Sequence, residues 1–459
     1  MIKIPKKKVY KNGATLIYKH FKRRHSSVVA GFVFGKNRDN YPEPTAHFCE
    51  HMFFKETQDK SVAQLKDEML NVFSMYNGRT NLFYTEIDFC RSNKAIEPCF
   101  KLAAEMLLNT KYSSKTIKTE KGVIKQELVR KLNNPDAISY YAFSRCIYSK
   151  YNLNTNVLGS EEEIEQVSAK SLKKFKDETF ISQNFVITIE GGISFNKAKH
   201  LAEKYFINKL KSNPEYPVDQ SITYPVDKPG NLNIEYFQFN KANCKIGIKL
   251  DKEIESVEND NYISMLCSIC NNLNGKLMSK LRDNGLVYGV SMWADCIPEN
   301  YMIGIDFGCS NENVNKVIDK IGELFRELKT TKIDQSLIER KKENKKLNKD
   351  ENIRRLYPSN LFRNYLFYKD DIFSKKLRKE SKKIYEDITS DDIQTLCQKI
   401  FNKPENIYMS ILTNASPESF YNYEEIQKIL TSNTKQNFHK KQKTDKQNKN
   451  RNKKENKNK

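Results

Sequence analysis

The sequence predicts an α+β protein made of two related α/β layered domains, each a mixed sheet covered by helices. Both halves of the 459-residue chain show the order strand, helix, helix, strand. Between them, the stretch 212–231 holds four prolines and few apolar clusters, which is typical of a linker. We therefore expect domains at 1–211 and 232–432, with the linker at 212–231 and a disordered, Lys/Asn-rich basic tail at 433–459.

In the first half, apolar and polar residues alternate over 14–18 and 28–34, which predicts two strands. A helix follows from Thr45, with Pro42 and Pro44 in its first turn and Thr45 as its cap. The remaining expected elements are a helix at 62–73, a strand at 82–90, helices at 96–108 and 117–132, a strand at 185–189 and a helix at 196–205.

The second half repeats this rhythm, although little direct sequence repetition is visible. We expect a strand at 245–250, helices at 262–273 and 276–282, strands at 288–294 and 302–307, and then further helices. The charged run 339–355 predicts a solvated helix face.

The chain carries a formal net charge of +22, and its last 26 residues supply 11 basic and two acidic side chains. About +13 therefore remains on the body of the chain. Such a charge attracts nucleic acid, anionic membranes or acidic peptides. We favour the alternative of a Lys- and Asn-biased composition, so a nucleic-acid partner is the weaker expectation.

Cellular location is predicted from what the sequence lacks. It has no apolar run of 18 residues, no apolar core of a secretory signal, and no enrichment of Arg and Ser at its start. Its ten cysteines are scattered, and Cys267 and Cys270, the one C-x-x-C pair, are better explained as core thiols than as a metal or redox site. We expect an intracellular, cytoplasmic protein with reduced thiols and no membrane span.

The motif H-x-x-E-H at His47, Glu50 and His51 carries the chemical prediction. Residues four apart lie on one face of a helix, so the two histidines can hold one metal ion. Glu50 lies on nearly the same face, where it can take a proton from a metal-bound water. The alternative is a helix with two surface histidines and a solvated glutamate.

A second helical stretch carries two more acidic candidates, Glu120 and Glu127, which are seven residues apart and share a helix face. Two carboxylates facing a metal suit one ligand and one group that orients a ligand. The alternative is ordinary solvated helix charge in a chain that is 30% charged.

Together these residues resemble the pitrilysin/insulinase family of inverted-motif zinc peptidases. The resemblance is to the short two-domain type, which includes the mitochondrial processing peptidase β-subunit and its bacterial relatives. In that family a glutamate 76 residues past the second histidine completes the zinc site, and here that residue is Glu127. The resemblance thus implies one Zn²⁺ per chain held by His47, His51 and Glu127, with Glu50 as the general base and Glu120 as the further family glutamate.

Two other stretches extend the resemblance. Asn77, Gly78 and Thr80 resemble the family strand beside the zinc that borders the peptide-binding edge. Arg282 and Tyr288 resemble the second-domain pair that holds substrate over the zinc. The resemblance implies that the chain forms one half of a clamshell and works as a homodimer, or as a heterodimer with a related chain, on peptides or unfolded proteins.

The sequence therefore predicts a zinc endopeptidase that hydrolyses peptide bonds. Two alternatives remain: a non-catalytic partner subunit or scaffold of a processing-peptidase-like complex, and a nucleic-acid-binding protein that depends on the basic tail.

Overall fold

The computed structural model describes residues 4–35, 40–149, 156–215, 222, 225–271, 275–297, 300–351 and 361–434. Its strands are β1 (Lys6–Val9), β2 (Thr15–His20), β3 (His25–Val33), β4 (Met75–Thr80), β5 (Tyr84–Ser92), β6 (Phe185–Gly191), β7 (Leu232–Tyr236), β8 (Ala242–Lys249), β9 (Gly289–Ile297), β10 (Asn300–Cys309) and β11 (Ile407–Thr413).

The helices of the first half are α1 (Thr45–Phe53), α2 (Val62–Val72), α3 (Ile96–Leu108), α4 (Ser114–Leu132), α5 (Pro135–Ile147), α6 (Glu161–Gln166), α7 (Ala169–Thr179) and α8 (Phe195–Ala202). Those of the second half are α9 (Val257–Cys270), α10 (Lys276–Leu281), α11 (Val314–Thr330), α12 (Gln335–Glu351), α13 (Leu361–Tyr368), α14 (Lys375–Asp387), α15 (Ser390–Ile400) and α16 (Tyr423–Thr431).

Each half contains one mixed sheet, and the two sheets share a topology. The first has the order β1-β2-β6-β3-β5-β4 and the second the order β7-β11-β8-β10-β9. In both, one strand pair is parallel (β2 with β6, β7 with β11) and the strands that follow are antiparallel. Five strands thus correspond one to one, which confirms the predicted fold class of two related layered units.

The two halves exchange a helix. Helix α5, from the first half, packs on β7, β8 and β11 of the second sheet, and Arg145 on α5 forms a bidentate pair with Glu235 on β7. Conversely, α13 covers the first sheet, where Phe362 and Tyr365 pack against Val29 and Val186. The two helices occupy corresponding places, since each lies between the last two strands of its half in chain order. This exchange fixes the sheets against each other.

Many predicted elements are confirmed, and one helix matches at both ends: 96–108 is α3. The sequence prediction missed α5 to α7, β7 and β11. The proposed capping role of Thr45 is wrong, because Pro44 is the N-cap and the buried Thr45 hydroxyl has no hydrogen-bond partner among the described residues.

The predicted solvated face at 339–355 is only partly correct. It begins within α12, but Lys341 and Lys342 are buried. Nζ of Lys342 donates to the carbonyl oxygen of Ile388 and to Glu339, both at 2.8 Å. Outside the described residues lie 352–355 of this run, 435–459 of the predicted tail, and 216–221 and 223–224 of the predicted linker. The domain boundaries remain a prediction.

None of the helices in the described parts of the chain is both long enough and apolar enough to span a bilayer.

Candidate metal centre

Helices α1 and α4 bring together the three residues proposed as metal ligands. Glu127 Oε2 lies 3.8 Å from Nε2 of His47 and 3.5 Å from Nε2 of His51. One ligand atom from each residue lies within 4.8 Å of the others. Phe48, Met52 and Phe53 of α1 are buried in the first core, so packing holds the helix that carries both histidines.

This donor set fits zinc. Two imidazole nitrogens and one carboxylate oxygen are ligands that zinc favours, at about 2.0–2.2 Å from the metal. Ligands at those distances around a tetrahedral ion are about 3.3–3.6 Å apart. The separations of 3.8 and 3.5 Å between Glu127 and the two histidines therefore need only a small contraction. Three protein ligands leave a fourth position open, as in catalytic rather than structural sites.

Glu120 lies behind the cluster and orients His51. Its Oε2 accepts a hydrogen bond of 3.0 Å from Nδ1 of His51, while its Oε1 lies 2.7 Å from Nζ of Lys55. Glu120 is 1% exposed, so this carboxylate needs both partners. Sequence reasoning found Glu120 but missed Lys55, which lies just past the end of α1.

We expect the substitution Glu120→Gln to weaken zinc binding by about 10- to 100-fold, because outer-sphere partners of ligating histidines contribute to metal affinity at that level. Competition with a chromogenic chelator measures the affinity. Glu424→Gln, at an exposed position of α16, is the matched control. Equal zinc affinity in Glu120→Gln and the control would remove Glu120 from the site.

Two of the three proposed ligands, His47 and Glu127, are in the protonation state that a metal ligand needs. Burial, aided by the neighbouring His51, lowers the pKa of His47 to about 3, so this ring is neutral. The hydrogen bond with His51 lowers the pKa of Glu127 to about 2, so this carboxyl is ionised. Burial lowers the pKa of His51, but hydrogen bonds with Glu120 and Glu127 outweigh it and raise the value to about 9. A metal ion would displace the proton on His51.

Glu50 lies on the same helix, against the edge strand β4. A Cβ atom added to Gly78 would lie 2.7 Å from Glu50 Oε1 and 2.9 Å from Glu50 Cγ, so only glycine permits this approach. Burial raises the pKa of Glu50, and a hydrogen bond from the Thr80 hydroxyl lowers it in part. Glu50 is therefore a positioned carboxyl with increased basicity, the property that a general base requires.

Strand β4 is an edge strand of the first sheet, so no described strand pairs with the outer side of its backbone. Asn77 on this strand is exposed, and Gly78 and Thr80 are half-buried. Helix α1 packs against the strand, which places the free edge beside Glu50. A free edge of this kind accepts an extended peptide through main-chain hydrogen bonds.

Beneath this edge, β5 carries two buried acids that sequence reasoning missed. Glu86 and Asp88 are 2% and 4% exposed. Arg79 on β4 lies 3.5 Å from Glu86 Oε1 and 3.4 Å from Asp88 Oδ1. Burial raises the pKa of Glu86 to about 7, although Arg79 opposes that rise. The available signal was their spacing: Glu86 and Asp88 are two residues apart, and such residues lie on the same face of a strand.

The raised pKa of Glu86 predicts that the free energy of unfolding depends on pH. Because its folded pKa of about 7 exceeds its ordinary value of 4.5, its contribution to stability is complete below that ordinary value and is lost as the pH rises through about 7. We expect Glu86→Gln to raise the free energy of unfolding above pH 7 by about 2 kcal/mol and to change it little at acidic pH. Urea unfolding across this pH range measures it, and a pH-independent difference would contradict the assignment.

Arg282 and Tyr288 lie in the second half and do not contact the His–Glu cluster through any hydrogen bond or ion pair of the described residues. The Arg282 guanidinium lies 5.8 Å from the centre of the Tyr288 ring, which is 89% exposed. Tyr288 lines an open cavity of about 910 Å³ together with Asp136 and Ser139 of α5. Tyr288 thus faces a cavity between the halves, and the role of Arg282 and Tyr288 in substrate binding remains a prediction.

The cysteines are explained by packing. Burial raises the pKa of Cys49 to about 12, so its sulfur is a neutral thiol that does not compete for zinc. Cys267 and Cys270 both lie on α9, and burial raises the pKa of each. All ten cysteines are described, and none forms a disulfide.

Comparison with protein families finds two matches along the chain. Residues 33–161 match the family model described as insulinase (peptidase family M16), and residues 166–345 match the model of the peptidase M16 inactive domain. An uncharacterised zinc protease of Bacillus subtilis, YmxG, is 24% identical over 347 residues, which is 73% of this chain and 81% of the relative. The mitochondrial processing peptidase β-subunit of Caenorhabditis elegans is 22% identical over 65% of this chain and 66% of its own length.

Solved structures share the fold. A protease from Helicobacter pylori superposes with a TM-score of 0.78 at 17% identity, over 90% of this chain and 100% of that structure. A peptidase M16 inactive domain from Pseudomonas fluorescens gives a TM-score of 0.75 at 14% identity, over 90% and 98%. These similarities show that the chain shares its two-sheet fold with solved structures.

Proposed function

Because the chain belongs to the insulinase (M16) family of peptidases, we propose that it is a zinc-dependent endopeptidase acting on peptides or unfolded protein segments. One observation carries the proposal: His47, His51 and Glu127 converge within 4.8 Å, beside the carboxyl of Glu50. Both histidines and both glutamates come from the M16-matching region, 33–161.

His47, His51 and Glu127 would hold the ion, and Glu120 would keep His51 in the orientation that presents Nε2 to it. Zinc, when bound, acidifies a water molecule and polarises the carbonyl of the scissile bond. Glu50 takes the proton from the attacking water on its carboxylate and then delivers it to the nitrogen of the leaving amine. The half-buried setting of Glu50 supports both transfers, since its raised pKa brings it closer to the range in which a carboxyl both accepts and releases a proton.

The substrate would lie as an extended strand along the free edge of β4. Asn77, Gly78 and Thr80 would supply main-chain contacts, so recognition would read the peptide backbone at these positions. Gly78 places the backbone next to Glu50, and this closeness aligns a bound peptide bond with the base. Arg282 and Tyr288 would approach the same peptide from the second half.

We also propose that the active assembly contains a second M16 chain, either another copy or a related subunit. Support comes from the relatives named as β-subunits of the mitochondrial processing peptidase. Light scattering after size exclusion gives the mass, and a monomer with full activity would contradict this part of the proposal.

Metal removal tests the function. We expect the purified protein to cleave an unfolded polypeptide, to lose this activity after dialysis against a chelator, and to regain it when one equivalent of zinc per chain is returned. A metal-free protein that cleaves as fast as the zinc-loaded protein would contradict the proposal.

A further inference from the structure

The metal cluster lies between two walls, the edge strand β4 and the helix α4. Helix α1, which carries both histidines, packs against each of them. Glu50 contacts the first wall at Gly78, whereas the two histidines face the second wall at Glu127. A peptide held on the free edge of β4 with one bond at Glu50 therefore also meets the side chains that α4 directs at the cluster.

Two basic side chains follow Glu127 on α4. The guanidinium of Arg130 lies 3.9 Å from Glu127 Oε1, and its side chain is 82% exposed. Lys131 lies one helical turn past Glu127, so the two side chains share a helix face and their Cβ atoms are about 5–6 Å apart. Unlike Arg130, Lys131 is half-buried. Both cations therefore border the metal cluster on the α4 side.

Helix α5 holds the ammonium group of Lys131 near the cluster. Its Nζ lies 5.9 Å from the centre of the Tyr141 ring, within the range of a cation–π contact. Burial is the main cause of the low pKa of His47, and the charge of Lys131 lowers that pKa further. The same charge adds to the hydrogen bond from His51 in lowering the pKa of Glu127. Because α5 packs on the second sheet, Lys131 lies where the two halves meet.

Lys131 differs from a lysine further back on the same helix. Lys125 lies 2.8 Å from Glu161 and 2.7 Å from Glu165, so two carboxylates of α6 match its charge. Lys131 forms no ion pair of this kind among the described residues. Burial lowers its pKa, and Glu127 is the acidic group whose charge opposes that shift. Since Glu127 is a proposed metal ligand, its charge would be shared with the ion, and the α4 wall would keep an excess of positive charge.

We propose that Lys131, with Arg130 beside it, determines specificity for an acidic side chain, aspartate or glutamate, close to the scissile bond of the bound peptide. The inference rests on the proposed function, since it takes the scissile bond to lie at Glu50 and the metal cluster. A carboxylate of the peptide would pair with a half-buried ammonium, where charges interact more strongly than in open water. A basic side chain at the same position would meet two like charges, which disfavours it.

Paired peptides test this subsite in the zinc-loaded, full-length protein. The two members of a pair differ only in having glutamate or glutamine at one position, and that position is moved across the scissile bond of an otherwise uncharged sequence. Each pair is made with an amidated and with a free C-terminus, which separates a side-chain carboxylate from a terminal one. The preference in cleavage is the ratio of the two kcat/KM values. Anisotropy of labelled peptides on Glu50→Gln measures the preference in binding without turnover.

We expect the glutamate peptide to be preferred by about three- to tenfold at one position, and the preference to fall as the salt concentration rises. Lys131→Gln should remove most of this ratio, and Lys131→Glu should reverse it, so that a lysine peptide becomes preferred. Lys118→Gln, at an exposed position of α4, should keep the wild-type ratio. A purely structural role of Lys131 would slow both members of a pair equally and leave the ratio unchanged.

Equal cleavage of both members at every position, or an undiminished ratio in Lys131→Gln, would overturn the subsite. A preference confined to peptides with a free C-terminus would overturn it too, because the carboxylate would then be that of the chain end. These outcomes are separate from the proposed function. Cleavage by the wild-type protein without any acidic preference would keep the peptidase and reject the subsite, whereas a glutamate preference in binding without cleavage would do the reverse.

Discussion

Glu50→Gln is expected to lower kcat/KM for peptide cleavage by about 10²–10⁴, while the protein keeps its zinc. Glutamine occupies the same volume beside Gly78, but its amide cannot accept the proton from water or return it to the leaving amine. None of the three proposed ligands is altered, so the metal content should equal that of the wild type. A quenched fluorogenic peptide measures kcat/KM, and inductively coupled plasma mass spectrometry measures zinc.

The control for this substitution is Glu68→Gln on α2, which removes a glutamate outside the metal cluster that contacts Lys60. It should change neither quantity by more than about twofold. Wild-type cleavage by zinc-loaded Glu50→Gln would show that another group moves the proton.

Glu127→Gln is expected to weaken zinc binding by more than about 100-fold, which exceeds the effect predicted for Glu120→Gln. The substitution removes the carboxylate that lies within 3.8 Å of both histidines, and a neutral amide oxygen is a poorer zinc ligand. Activity should then disappear at limiting zinc. Chelator competition gives the affinity, and circular dichroism confirms that the fold is retained.

Comparing Glu127→Gln with Glu120→Gln makes this prediction specific, because both glutamates lie on α4 seven residues apart. Full zinc content and full activity in Glu127→Gln would rule out Glu127 as a ligand. A reversed order of the two effects would exchange the roles of the glutamates.

The arrangement of the metal cluster followed from local sequence because helical geometry is regular. His47, Glu50 and His51 belong to one helix, so their spacing alone determined a shared face. Glu120 and Glu127 were placed on one face by the same rule. Helical spacing could not predict that α1 packs beside α4; that placement came from the family resemblance. Lys55 lies just past the end of α1, where helical spacing no longer gives a reliable direction.

Elements that depend on distant contacts were harder to predict. Strand β11 is buried along its whole length, and a short continuous apolar run does not distinguish a strand from a buried helix. Helix α5 packs on the sheet of the other half, so nothing near it in sequence shows which surface it covers. The pairing of Gly247 with Gly304, which creates room for Trp293, requires the strand register to be known.

The most direct test of the peptidase assignment is mass spectrometry of a diverse peptide mixture after incubation with the zinc-loaded protein, with Glu50→Gln incubated in parallel. The account predicts products cut at internal bonds in the wild-type sample and intact peptides in the Glu50→Gln sample. Intact peptides in both samples, with the metal centre filled and the assembly state established, would contradict the assignment of the chain as an endopeptidase.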